Sequence, residues 1–242
     1  MPANPTALPP LPPLIVALDL PTPRQAITLA TKLNPADCML KVGTELFTRG
    51  GPQTVTALTD MDFAIFLDLK FHDIPNTVAA TLTAAADLGV KMVNVHASGG
   101  PRMLQAARQS LDQHSANSRP LLLAVTILTS MDDAELRHTG LPGPCHTAAH
   151  RLATLAAQAG LDGVVCAASE AAAIKQTHGK NFLTVTPGIR PPGTSPDDQR
   201  RTLTPVDARA AGSDFLVIGR PITRAPDPAE AVTALRQQLK PA

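Results

Sequence analysis

Four charged side chains in this sequence occupy positions where charge is expensive. Asp68 and Lys70 are two residues apart at the end of an apolar run, Phe63–Lys70. At the two-residue period of a β-strand they share one face, while Leu69 and Phe71 take the other. Lys41 stands between Leu40 and Val42 in a second such run, and Asp19 lies near the end of a third, Leu14–Leu20. Charges at inward positions of a packed fold cost free energy unless they are paired or used. On neighbouring strands the four would form a fixed array of ammonium and carboxylate groups. Such an array can stabilise charge that develops on a bound molecule. The bland alternative is an ion-pair cluster that only closes the fold. Convergence of several strand ends on one place favours a site.

Other polar residues fall at the same ends of apolar runs: His72 and Asp73, Asn94 and His96, Thr126 and Thr129, Thr186, and Gly219-Arg220-Pro221. A Gly-Arg pair after a strand suits a phosphate, held by backbone N–H groups and a guanidinium; a turn with a solvated arginine is its plain alternative. Arg190–Thr204 (RPPGTSPDDQRRTLT) is long, polar and rich in turn residues, the composition of a lid beside a binding site or of a surface loop. His146 and His150 have the i, i+4 spacing of helix-borne metal ligands, but the Glu of an HExxH motif is missing, so a solvated or capping role fits better. His72 and His96 are equally consistent with packing.

The elements that must position these residues can be read from the apolar pattern. Eight runs of strand length recur: Leu14–Leu20, Met39–Gly43, Phe63–Lys70, Met92–Ala97, Leu121–Leu128, Gly163–Ala167, Phe182–Pro187 and Phe215–Gly219. Each is continuous, as in parallel strands covered on both faces. Helical stretches are expected from Thr22-Pro23 to about Leu33, then over Thr77–Leu88, Gln105–Leu111, His146–Ala159, Ser169–Thr177, Pro205–Ala211 and Pro228–Leu239. Alternation of this kind predicts an α/β fold with a parallel sheet. Eight units in 242 residues predict a single-domain (β/α)8 TIM barrel spanning 14–242. A doubly wound sheet is the alternative, but no GxGxxG follows the first strand. Pro2–Pro13 carries six prolines without apolar periodicity, so residues 1–13 read as a flexible tail.

Composition excludes several functions. With 21 basic and 20 acidic side chains the chain has no basic footprint for nucleic acid or a membrane surface. Absence of Trp and Tyr removes the usual stacking platforms for single strands. Cys38, Cys145 and Cys166 lack CxxC spacing and read as thiols of a reducing compartment. The first residues have neither a basic nor an apolar signal region, and no apolar run reaches membrane-spanning length. A cytoplasmic protein is expected.

These residues resemble the bacterial-type orotidine 5′-phosphate decarboxylase family. The pieces run in order: Val16-Ala17-Leu18-Asp19, Leu40-Lys41-Val42-Gly43, Phe66 to Thr77 (FLDLKFHDIPNT), Val93-Asn94-Val95-His96, Leu128-Thr129-Ser130, Thr186 to Pro191 (TPGIRP) and Val217-Ile218-Gly219-Arg220-Pro221. The DxKxxD core, Asp68-x-Lys70-x-x-Asp73, is the family signature, and the likeness extends from Ile15 to about Pro228. It implies decarboxylation of orotidine 5′-monophosphate to UMP in de novo pyrimidine synthesis, with no metal and no cofactor. Lys70 would stabilise the C6 carbanion and donate the proton, and Asp68 would face the substrate carboxylate. Lys41 and Asp19 would hold the ribose, and Thr129 would border the pyrimidine. Arg190, Gln199, Gly219 and Arg220 would bind phosphate and close the lid. Around them the run Asp68, Leu69, Lys70, Phe71, His72, Asp73, Ile74, Pro75, Asn76 and Thr77 would surround the substrate. Asp73 and Thr77 would reach into a second subunit of a homodimer. The chain departs from the family's common form in its Pro-rich start and in lacking a Tyr for the phosphate. Two alternatives share the scaffold: the metal-dependent sugar-phosphate synthases and decarboxylases, whose strand-2 metal-binding Glu is Lys41 here, and a catalytically silent phosphate-binding barrel.

Overall fold

A computed structural model describes residues 11–116, 118–191 and 201–239. Eight parallel strands close a barrel in sequence order, each hydrogen-bonded to the next and the last to the first. They are β1 (Leu14–Ala17), β2 (Met39–Gly43), β3 (Ile65–Phe71), β4 (Met92–His96), β5 (Leu121–Val125), β6 (Gly163–Val165), β7 (Leu183–Thr186) and β8 (Phe215–Ile218). Around them lie α1 (Pro23–Ala30), α2 (Thr44–Thr59), α3 (Pro75–Asp87), α4 (Gly100–Leu111), α5 (Asp133–His138), α6 (Cys145–Gln158), α7 (Ala168–His178), α8 (Pro205–Ala210), α9 (Arg220–Thr223) and α10 (Pro228–Gln238).

Two apolar layers follow from the strand period. Ile15, Ala17, Met39, Phe66, Met92, Leu123, Val125, Val165, Val185, Phe215 and Val217 point inward and fill the barrel. Residues of opposite parity, such as Val16, Leu40, Leu67 and Val93, pack outward beneath the helices. Leu11, Leu121 and Leu183 pack against the inner cluster. The carbonyl of Pro13 accepts a hydrogen bond from Leu216 N at 2.9 Å, so residues 11 to 13 are joined to the start of the barrel. Residues 1–10 of the expected tail lie outside the described residues.

Several expected boundaries shift. β1 stops at Ala17 and β5 at Val125, short of Leu20 and Leu128; Leu18 and Leu20 pack with the helix-facing core, while Ile127 and Leu128 turn to line the mouth. The helix expected from Thr77 begins at Pro75, a residue suited to a first helical turn. The helix expected from Gln105 begins at Gly100. α2 was not expected, because Gly50-Gly51-Pro52 interrupts its pattern; Gly51, at φ 60°, marks a kink between two helical halves. α5 is short and was also not expected, although Asp132 caps it and Glu135 completes a capping box. Thr22 caps α1 as expected, accepting from Gln25 N.

Candidate active site

Asp19, Lys41, Asp68 and Lys70 meet at the mouth formed by the C-terminal ends of the strands. Lys41 Nζ lies 3.2 Å from Asp19 Oδ1 and 3.3 Å from Asp68 Oδ2. Lys70 Nζ lies 2.8 Å from Asp68 Oδ1. Charges therefore alternate along the chain of contacts Asp19, Lys41, Asp68, Lys70. Lys41 and Asp68 are buried, at 9% and 7% exposure. Burial alone would depress the Lys41 ammonium, but the carboxylates of Asp68 and Asp19 outweigh it and hold the group above its ordinary range. Burial likewise pushes Asp68 up, yet Lys41 and Lys70 outweigh it and hold the carboxyl below its ordinary value. Both groups are held in their charged forms at neutral pH.

The backbone under Lys70 is unusual. Its φ is 53°, in the left-handed region, and the β3–β4 register shifts between Leu67 and Phe71. A non-glycine residue there costs on the order of 1–3 kcal/mol and must be held by its surroundings. Asn94 of β4 holds it. This fully buried amide accepts from Lys70 N at 2.8 Å through Oδ1 and donates to Asp68 Oδ1 at 2.7 Å through Nδ2. One side chain thus fixes both the strained peptide and the central carboxylate. Asn94 is visible in the sequence as a polar strand end, but this bridging role could not be read from it.

A cavity of about 250 Å³ opens above the array. Its floor combines Phe66, Val125, Val165 and Val217 from the inner layer with the charged array. The connection after β5 adds Ile127 to Ser130, including the expected Thr129. The connections after β7 and β8 add Pro187, Gly188, Arg190, Gly219 and Arg220, so the two expected phosphate-binding arginines share one cavity with the array. Ser130 and Gly188 also line it; they stand in the quoted sequence pieces but were given no role there. Gln199 lies outside the described residues. Cys166 is in the wall, but burial pushes its thiol well above the ordinary value, so it is not a thiolate nucleophile at neutral pH.

Other residues of the expected binding run lie elsewhere. Leu69 and Phe71 pack against the helix-facing core rather than lining the cavity, because the alternation that aims Asp68 and Lys70 inward turns them outward. His72, Asp73, Ile74, Asn76 and Thr77 are exposed around the start of α3, and with Pro75 stand outside this chain's own cavity. Asp73 Oδ1 accepts from Ile74 N. Thr126 and Thr186 are buried, with their hydroxyls turned to the carbonyls of Val165 and Phe215 rather than into the cavity. The His72 and His96 rings are 5.6 Å apart; burial, His72 and Lys70 together lower the His96 pKa. His150 lies on α6, with Nε2 2.8 Å from Thr177 Oγ1, and the described residues contain no group of three or more potential metal ligands that includes it.

One contact near the mouth could not be anticipated from spacing. Arg201 Nη1 pairs with the buried carboxylate of Glu170, while Nη2 donates to the carbonyls of Ile127 at 3.2 Å and Leu128 at 3.1 Å.

A closed parallel barrel with a lysine–aspartate array and two arginines at its mouth defines a (β/α)8 enzyme whose site is made of fixed charges. Residues 12–235 match the model of the Orotidine 5′-phosphate decarboxylase / HUMPS family, and the chain belongs to that family. It is 55% identical over 226 residues to the orotidine 5′-phosphate decarboxylase of Nitrosococcus oceani, covering 93% of this chain and 97% of that one. It is 57% identical over 228 residues to the protein of that name from Legionella pneumophila, covering 94% and 99%. The crystal structure of orotidine 5′-phosphate decarboxylase from Lactobacillus acidophilus superposes with a TM-score of 0.85 at 40% identity, covering 95% of this chain and all of that one. Among the described residues no helix is long and apolar enough to cross a membrane.

Proposed function

We propose that the protein decarboxylates orotidine 5′-monophosphate to uridine 5′-monophosphate and CO2, in the cytoplasm, as a step of de novo pyrimidine synthesis. The observation that carries this reading is the contact chain Asp19, Lys41, Asp68, Lys70 at the floor of a cavity that also contains Arg190 and Arg220. In the step, the bond between pyrimidine C6 and its carboxylate breaks, the electron pair stays on C6, and CO2 departs. Lys70 faces the developing carbanion and then passes a proton from Nζ to C6. Asp68 lies against the departing carboxylate, and the repulsion between two anions is relieved as CO2 forms. Lys41 and Asp19 hold the ribose hydroxyls, and Thr129 borders the ring. Arg190, Gln199, Gly219 and Arg220 take the phosphate, whose binding energy supports the chemistry at the far end of the substrate.

No metal or organic cofactor is needed in this reading. Lys41 Nζ is within 3.3 Å of carboxylates on both sides, the position between Asp19 and Asp68 that a divalent cation would otherwise occupy. The reading includes a homodimer in which Asp73 and Thr77 complete the partner's site. Its support is the exposure of both residues outside the cavity of their own chain, beside Ile74 at 67% exposure. Purified protein mixed with orotidine 5′-monophosphate in EDTA should consume the orotate chromophore and release one CO2 per turnover. An inert mixture, or activity that disappears with chelator, would overturn the proposal.

A further inference from the structure

Two connections at the mouth and the first turn of α7 are joined through one guanidinium. Arg201 lies on the chain's return from β7 toward α8. Two residues on, the Leu203 carbonyl accepts from Arg190 N at 2.9 Å, and Leu203 pairs with Ile189 in a parallel bridge. This return is therefore continuous with the segment that carries Arg190 into the cavity. Arg201 Nη1 is paired with Glu170, whose side chain is 4% exposed. Glu170 is itself fixed, because its Oε2 accepts from Ala167 N at the start of α7, next to Cys166 in the cavity wall. Arg201 Nη2 reaches the carbonyls of Ile127 and Leu128. Ile127, Leu128, Thr129 and Ser130 are consecutive, all line the cavity, and all lie beyond the end of β5. The Leu128 carbonyl also accepts from Met131 N at 3.0 Å, so the guanidinium and the local turn grip the same atom.

We propose that Arg201 is a positioning residue: it sets the wall Ile127–Ser130 at a fixed distance from the segment carrying Arg190, with Glu170 as its anchor. The geometry suits arginine and no other side chain. One planar fork spans a carboxylate and two carbonyls, whereas lysine offers a single point charge that can satisfy Glu170 but cannot also hold both carbonyls. A wall displaced by an ångström misplaces the substrate against Lys70 and costs on the order of 100-fold in rate. This inference rests on the decarboxylase reading for its kinetic consequence, but not for its structural one.

Arg201→Lys is the decisive variant, since it keeps a cation beside the buried Glu170. Its thermal midpoint should stay within a few degrees of wild type, while kcat/KM for orotidine 5′-monophosphate falls on the order of 10- to 100-fold. Hydrogen exchange at the Met131 amide should accelerate in the same variant without ligand. Arg201→Ala leaves Glu170 buried without its cation and should lose stability as well; if it fails to fold, Arg201→Lys and Glu170→Gln still decide. Glu170→Gln, which retains the carbonyl contacts, should lose less kcat/KM than Arg201→Lys. Native kcat/KM and native Met131 exchange in Arg201→Lys would overturn the proposal and leave Arg201 a purely structural ion-pair partner. If wild-type protein does not decarboxylate the nucleotide, the functional reading falls, and Met131 exchange alone still tests the tie.

Discussion

Lys70 combines three features seldom found together: a left-handed backbone, an inward ammonium, and a carboxylate 2.8 Å away. Strain of that kind persists only where the surroundings over-determine it, and Asn94 supplies the restraint. If Lys70 acts as proposed, replacing it by Ala should lower turnover by about four orders of magnitude or more, because the proposed proton donor and the cation facing C6 would be lost together. Far-ultraviolet circular dichroism should show the fold intact; a variant turning over at near-native rate would remove Lys70 from its role. His96 supports a second prediction, set by its charged and titratable neighbours His72, Lys70 and Asp68. Its folded pKa is lowered from 6.5, with burial the largest cause, so folding favours the neutral ring. The unfolded chain then binds the proton more readily, and stability falls as pH drops below 6.5 toward the lower folded value. Urea titrations from neutral to mildly acidic pH should show this slope in wild type and a shallower one in His96→Gln. Parallel slopes would assign the acid sensitivity to another group.

Elements with one simple signal were legible. All eight strands were found because residues covered on both faces must be apolar throughout, and charges inside such runs mark themselves out. Strand period put Asp68 and Lys70 on one face, and the convergence of neighbouring strand ends brought Lys41 and Asp19 to them. Helices with interrupted signals were harder: α2 is split at Gly51, and α5 has only Asp133–His138 in which to show a period. The bridging role of Asn94 and the contacts of Arg201 were not legible, for a different reason. Their roles come from register between β3 and β4, and from contacts 31 and 73 residues away in sequence, which no local pattern encodes. Register also governs Gly163 of β6. A Cβ there would lie 2.2 Å from the Leu183 carbonyl oxygen of β7, an atom of the barrel ladder that cannot step aside. Gly163→Ala should therefore destabilise the protein by about 1–3 kcal/mol, the usual cost of overpacking. Chemical denaturation should show a lower midpoint; an unchanged midpoint would mean that the β6–β7 seam yields more easily than its geometry suggests.

At the scale of the whole molecule, the exposed turn from Asp73 to Thr77 is the feature that a single barrel leaves unused. In the proposed dimer each site borrows Asp73 from its partner, so subunits with different lesions should rescue one another. Mixing Lys70→Ala with Asp73→Ala subunits creates heterodimers in which one site has both residues intact and the other has neither. Activity should return, to about half of native per heterodimer as the ceiling that simple site counting allows. Native mass spectrometry identifies the mixed species. Inactive mixed dimers would show that Asp73 acts within its own chain.

The packed floor has a consequence for traffic. Ile15, Met39, Phe66 and Met92 fill the barrel beneath the charges, and Leu11 packs against this same filling. A (β/α)8 interior filled in this way is a solid plug, not a pore. Among the described residues, the cavity is reached from the mouth at the C-terminal ends of the strands. In the proposed reaction CO2 would form at the Asp68–Lys70 end of the cavity and would leave past the bulkier nucleotide or after it. In that reaction the departing nucleotide would stand where the next one docks, and would compete with its own precursor.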